Sequence, residues 1–338
     1  MLTAQDRPRE PDAAASWEAA PGISPSTLAV VINSADPVSG AIGRHYIRAR
    51  RLQPRQVIRV RFKPAPSLDR RSFADLLHQV QRQTPPATQA YALAWAAPWR
   101  VECVSITSAI AFGRLRSTCR DTCASTPINP YYARADVRRP WHQLGMRPAM
   151  LLAATTVPAG QALINRGVAA DGTAPDGTAY LLVGRDRVRN VRAPLYEGLV
   201  ETAAPGFQIR VLRADALRQA PDVMLLSVGA ASVPDLTSNR YRPGAIADHL
   251  TSFGGVLTGP SAQMSALRWL EAGATASYGT VVEPCNHAFK FPNPGLALSF
   301  YRRGDTLIES YWRSVAMPDQ GVFIGEPLAR PWGSRRNM

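Results

Sequence analysis

The sequence predicts a three-layer α/β fold, with a mainly parallel sheet flanked by helices. Three observations predict it. Short apolar runs recur along the chain and end at turn residues, as buried parallel strands do. These runs alternate with segments of helical periodicity, the pattern of βαβ units. The chain has 338 residues, 46% of them apolar, which is enough to bury a sizeable core.

Leu28–Ile32 reads as the first strand, ending at Asn33-Ser34. A helix follows Pro37, with Ile42, Tyr46, Ile47 and Leu52 on its inner side. Val57–Phe62 alternates as a second strand, and Phe73, Leu76, Leu77 and Val80 mark an amphipathic helix. Tyr91–Ala96 is the third strand. Residues 98–148 break the rhythm and read as a long insertion or lid with one short helix. Alternation resumes with a strand at Met150–Thr155 and a helix over Gly160–Gly167. Tyr180–Val183, Gln208–Leu212 and Val223–Val228 are further strands. Ser261 caps a helix through Met264, Leu267 and Leu270 that Gly273 closes, and Ala274–Val282 is a small-residue strand. Asn293-Pro294 opens a helix that ends at Gly304, and Asp305 starts the last helix, with Leu307, Ile308, Tyr311, Trp312 and Val315 inward. The expected organisation is a tail over 1–22, a first α/β half over 23–155 carrying the insertion, and a second half over 156–334.

The net charge is +14, and only Lys63 and Lys290 among the 39 basic residues are lysine. The arginines are spread from Arg48–Arg61 through Arg185–Arg192 to Arg335 and Arg336, with no run of ~5–6 like charges. A nucleic-acid footprint gathers its charge on one face, so a solvated arginine-biased surface is expected and a basic polyanion or nucleic-acid binder is the weaker alternative. No run of ~18 apolar residues exists, so no membrane-spanning helix is expected. The first 22 residues lack a basic segment followed by an apolar core. As written the chain therefore reads as cytoplasmic, and a start assigned too far downstream would make it periplasmic or exported.

Five residues just past the small-residue strand carry the sharpest chemical signal: Glu283-Pro284-Cys285-Asn286-His287. In an extended backbone Glu283, Cys285 and His287 point to one side. An imidazole beside a thiol stabilises the nucleophilic thiolate. The bland alternative is a partly buried, unreactive cysteine with a surface histidine beside it. His249 is a second candidate base, or a structural histidine; Asp248 is its sequence neighbour but on a helix points elsewhere. Cys119-Arg120-Asp121-Thr122-Cys123, with Cys103 upstream and His142 downstream, matches no paired zinc spacing. In an oxidising compartment two of these thiols would instead pin the insertion as a disulfide. The GxxxxG of Gly254 to Gly259 is followed by Pro260 where a phosphate loop needs lysine. No cofactor and no metal are implied.

Several stretches resemble an uncharacterised bacterial family found in species that carry exosortase, the proposed transpeptidase of protein sorting. They are Val101–Ala109, Gly167–Thr173, Arg242–Gly254, Gly273–Asn286 and Gly325–Pro331. The ending is also similar to that of gingipain-type cysteine peptidases, whose domain is caspase-like: a Gly-Ala-rich strand, Gly304-Asp305-Thr306-Leu307, then Gly325-Glu326-Pro327. Those enzymes carry His-Gly after one strand and the nucleophilic cysteine after the next. Here those places read Ser227-Val228-Gly229-Ala230-Ala231-Ser232 and Thr251-Ser252-Phe253-Gly254. The resemblance therefore implies a caspase-like scaffold whose usual dyad positions are vacated. It implies an accessory protein of envelope- or exopolysaccharide-linked protein sorting, without peptidase activity. The alternative is a cysteine hydrolase or transpeptidase with Cys285 as nucleophile, His249 or His287 as base and Glu283 as orienting carboxylate.

Overall fold

The computed structural model describes residues 22–117, 119–196, 198–199 and 206–333. The expected tail, apart from Gly22, lies outside the described residues, as do Arg335 and Arg336.

The first half opens with β1 (Leu28–Asn33), α1 (Pro37–Arg50), β2 (Val57–Val60), β3 (Ser67–Leu68), α2 (Arg70–Gln83) and β4 (Ala90–Leu93). Asp36 caps α1 by accepting the Val38 N–H, and Pro37 sits at the first helical turn. Gly43 of α1 faces Ile32 so closely that a Cβ there would meet the Ile32 side chain at 2.4 Å. The insertion is not structureless. It forms β5 (Arg100–Val101), β6 (Val104–Ser105), α3 (Ile106–Phe112) and α4 (Pro140–Leu144) before β7 (Ala149–Leu151). β3, β5 and β6 make a small sheet of their own, and α3 packs against β7.

α5 (Val157–Ala170) leads into the second half: β8 (Gly177–Leu182), β9 (Phe207–Leu212), β10 (Val223–Gly229), β11 (Tyr241–Leu250), α6 (Leu267–Ala272) and β12 (Ala276–Thr280). α7 (Pro294–Arg302), α8 (Leu307–Arg313) and β13 (Gly321–Gly325) complete the chain. All the long strands join one ten-stranded sheet in the order β2-β1-β4-β7-β13-β12-β11-β10-β8-β9. The α/β class with a helix-flanked, mainly parallel sheet is thus the observed one.

Every neighbouring pair is parallel except β12–β13. The strands from β2 to β13 therefore run one way and those from β12 to β9 the other. The carboxyl ends of the two groups lie at opposite edges of the sheet. In each half the order of the first four strands is the same, second-first-third-fourth: β2-β1-β4-β7 and β9-β8-β10-β11. In the second half, Trp269 of α6 packs with Leu226, Val228 and Ala247 on one face. α7 and α8 belong to the larger core on the other. The outer edge of β2 is closed by side chains of α2. Gln83 accepts the Arg59 N–H and donates to its carbonyl, and Gln79 accepts the Arg61 N–H.

Some sequence expectations shift. The segment holding Asp248 and His249 is a strand rather than a helix, because β11 is buried between β10 and β12 from Gly244 onward. The helix assigned to Ser261 starts at Leu267, and Ser261 does not cap it. The last helix is capped by Thr306 with Glu309 in a reciprocal box, while Asp305 pairs with Arg138 and Arg313. The turn at Gly325 ends a strand, β13, that joins the two halves.

Candidate functional site

Glu283, Cys285 and His287 follow β12 at the carboxyl edge of the second half, Asp248 and His249 lie just inside it on β11, and Cys103, Cys119 and His142 belong to the insertion. Open α/β sheets place ligands beyond such ends. Here β10, β11 and β12 end at Gly229, Leu250 and Thr280, and the turn Pro318–Gln320 enters β13 beside them.

Of the two places that the resemblance reserves for a dyad, the first is closed by main chain. A Cβ at Gly229 would fall 2.2 Å from the carbonyl oxygen of Arg189, so the loop after β8 is seated on the end of β10. Arg189 continues across the edge and donates to the Thr251 hydroxyl at 3.3 Å. At the next position Gly254 and Gly279 cross so closely that a Cβ at Gly279 would lie 2.2 Å from the Gly254 carbonyl carbon. The Gly255 N–H donates to Thr280 O at 2.8 Å. The Thr280 hydroxyl sits 3.0 and 2.9 Å from the carbonyls of Thr251 and Ser252.

Cys285 is not a free thiol. It is bonded to Cys123, across a Cα separation of 5.1 Å. Cys103 is bonded to Cys119 at a Cα separation of 5.6 Å, so no cysteine of the chain is reduced. The disulfide expected within the insertion is Cys103–Cys119. Cys123 instead reaches across 162 residues and straps the insertion to the edge of the second half. Glu283 turns toward its own loop and accepts the Cys285 N–H at 2.7 Å. Cys285 and Asn286 adopt φ of 59° and 53°, a left-handed step that breaks the extended geometry in which Glu283, Cys285 and His287 would share a side.

Neither candidate base is hydrogen-bonded to Cys285. His287 packs its ring against Phe289, 5.8 Å between centroids. His249 is buried, with Nδ1 accepting from the Trp269 indole at 3.0 Å and Nε2 facing the Met264 carbonyl at 2.9 Å. Burial pushes its pKa down to about 4, only partly opposed by the Met264 carbonyl. Asp248 points to the opposite face of the strand, as alternation requires. It accepts from Arg192 at 2.6 Å and from the Tyr311 hydroxyl at 3.1 Å. His142, the nitrogen donor nearest the CxxxC in sequence, is hydrogen-bonded to Gln89 at 2.7 Å. No cluster of three metal-ligating side chains occurs among the described residues.

Beneath the strap lies a polar group that sequence reasoning missed. The buried Lys290 ammonium donates to Thr122 O at 2.7 Å, and Gln320 Nε2 donates to the same carbonyl at 2.8 Å. Asp319 is fully buried, and neither carboxylate oxygen accepts a hydrogen bond among the described residues. Its nearest cation is Arg116, 3.7 Å away. Burial raises its pKa to about 6 against the opposing pull of that arginine. The one sequence signal was Lys290 itself, one of two lysines in an arginine-dominated chain.

Three arginines stitch the fold. Arg50 pairs with Glu326 and Asp171, Arg192 with Asp248, and Arg313 with Asp305, and all three guanidinium groups are buried. No family model matches the chain, and neither does any curated protein or solved structure.

Proposed function

We propose that the protein is a non-peptidase accessory component of envelope- or exopolysaccharide-linked protein sorting, acting in an oxidising compartment on a caspase-like scaffold. The observation that carries this reading is the Cys123–Cys285 disulfide. It occupies the one sulfur that the sequence offers as a nucleophile and uses it to hold the insertion in place. Two disulfides in one chain favour an extracytoplasmic setting, because cytosolic thiols are kept reduced. The repeated second-first-third-fourth strand order supports the caspase-type scaffold. Main chain against Gly229 leaves no room for a side chain there, which supports a scaffold without the first member of the usual pair. The link to sorting rests on the stretches of sequence resemblance.

Two experiments test it. The purified oxidised protein is treated with a thiol-directed peptidase probe, with no labelling expected; labelling that disappears in Cys285→Ala would overturn the non-peptidase part. Deletion of the gene in its host is expected to leave sorted envelope proteins mislocalised, and unchanged sorting would overturn the rest.

A further inference from the structure

At the opposite edge of the sheet, beyond the carboxyl end of β7, a cavity of about 90 Å³ opens between α5 and α6. It is lined mainly by Ala153, Ala159, Leu163 and Leu267, with Arg166 as its cation. Arg166 is half-buried, and one of its three guanidinium nitrogens, Nη2, has acceptors in the protein. Nη2 donates to the carbonyls of Leu270 and Ala274 at 2.9 and 3.0 Å, closing the end of α6. Nε is shut off from solvent without an acceptor. Nη1 has no acceptor among the described residues. Among the described residues no carboxylate pairs with this arginine. Glu271 also lines the cavity but is taken by Arg268 at 2.7 Å. Burial accordingly disfavours the Arg166 charge with nothing nearby to offset it.

We propose that this cavity binds a carboxylate carried on a short aliphatic stem, with the carboxylate on Arg166 Nη1 and the stem among the alanine and leucine side chains. Size and charge both select that class. The cavity exceeds the ~10–15 Å³ a single water needs and is smaller than the ~150 Å³ that admits benzene. A phosphate dianion would need several donors, whereas here Arg166 and Thr155 are the donor side chains and Glu271 is a carboxylate in the same lining. The same chemistry is offered by a free short-chain acid and by the C-terminal residue of a peptide ending in alanine.

The oxidised full-length protein is titrated by calorimetry with propionate, propionamide, tri-alanine and tri-alanine amide. The acids are expected to saturate, and each amide to bind at least tenfold more weakly. Arg166→Gln is expected to weaken acid binding at least tenfold. Ala159→Leu, which fills the cavity and leaves Arg166 in place, is expected to abolish it. Tighter binding of tri-alanine than of propionate identifies a polypeptide C-terminus as the source, and the reverse order identifies a free acid. Absence of saturable binding by both acids, or binding unaltered in Ala159→Leu, would overturn the proposal. The Ala159→Leu arm and the amide comparison decide the matter even if Arg166→Gln does not fold.

Discussion

Trp269 donates its indole N–H to Nδ1 of His249 across 3.0 Å, and the other ring nitrogen faces the Met264 carbonyl at 2.9 Å. This fixes a neutral imidazole with its proton on Nε2, an assignment that follows from the partners. Its folded pKa, about 4, lies below the ordinary 6.5. The unfolded chain therefore binds more protons between these values, and stability falls as pH drops from 6.5 toward 4. The full effect is about 3 kcal/mol at ~1.36 kcal/mol per unit. Unfolding free energy measured against pH should decline over this window in the parent and less steeply in His249→Asn.

Asp319 works in the opposite sense. Its pKa is raised from 3.8 to about 6, so the folded form holds a proton that the unfolded chain releases. The stabilising contribution is complete below pH 3.8 and is lost as pH rises through about 6. Asp319→Asn removes that loss. Denaturant melts should show the variant gaining on the parent between pH 4 and 7 by about 2–3 kcal/mol.

Arg50, Glu326 and Asp171 tie α1 to the end of β13 and to the turn after α5. Glu326 is fully buried, so removing its charge leaves the buried Arg50 guanidinium with the half-buried Asp171 as its remaining carboxylate. Glu326→Gln should cost about 3–5 kcal/mol. A calorimetric Tm that changes by less than a degree would show that the network contributes little.

The strap makes a prediction of its own. Closing a loop between residues 162 apart restricts the unfolded chain, an effect of about 3–5 kcal/mol in the entropic account. Cys123→Ser should lower stability by that order and speed proteolytic nicking within residues 114–127. Loss of the Cys103–Cys119 bond, with its separation of 16, should cost less.

The sheet was legible because its inner strands are short apolar runs buried on both faces. Leu28–Ile32 and Val223–Val228 match their observed strands almost residue for residue. β11 was obscured because polar Asp248 and His249 interrupt its apolar run, each satisfied by a partner distant in sequence. β13 was hidden for a related reason. Its five residues between Gln320 and Glu326 are too few for a periodic signal, and its antiparallel pairing is decided by tertiary contact. For the site, the identities of Cys285, Glu283 and the histidines could be read, but not their partners. Cys123 and Cys285 lie 162 positions apart, and no spacing rule connects them. Asp319 carried no signal at all, because a buried unpaired carboxylate looks like any surface aspartate in sequence.

The most direct test is a non-reducing peptide map by mass spectrometry, on protein recovered from an oxidising compartment and alkylated before digestion. The expected products are a peptide containing Cys123 joined to one containing Cys285, a second linked pair holding Cys103 and Cys119, and no alkylated cysteine. Recovery of Cys285 as an alkylated monomeric peptide, with Cys123 paired elsewhere or free, would contradict this pairing.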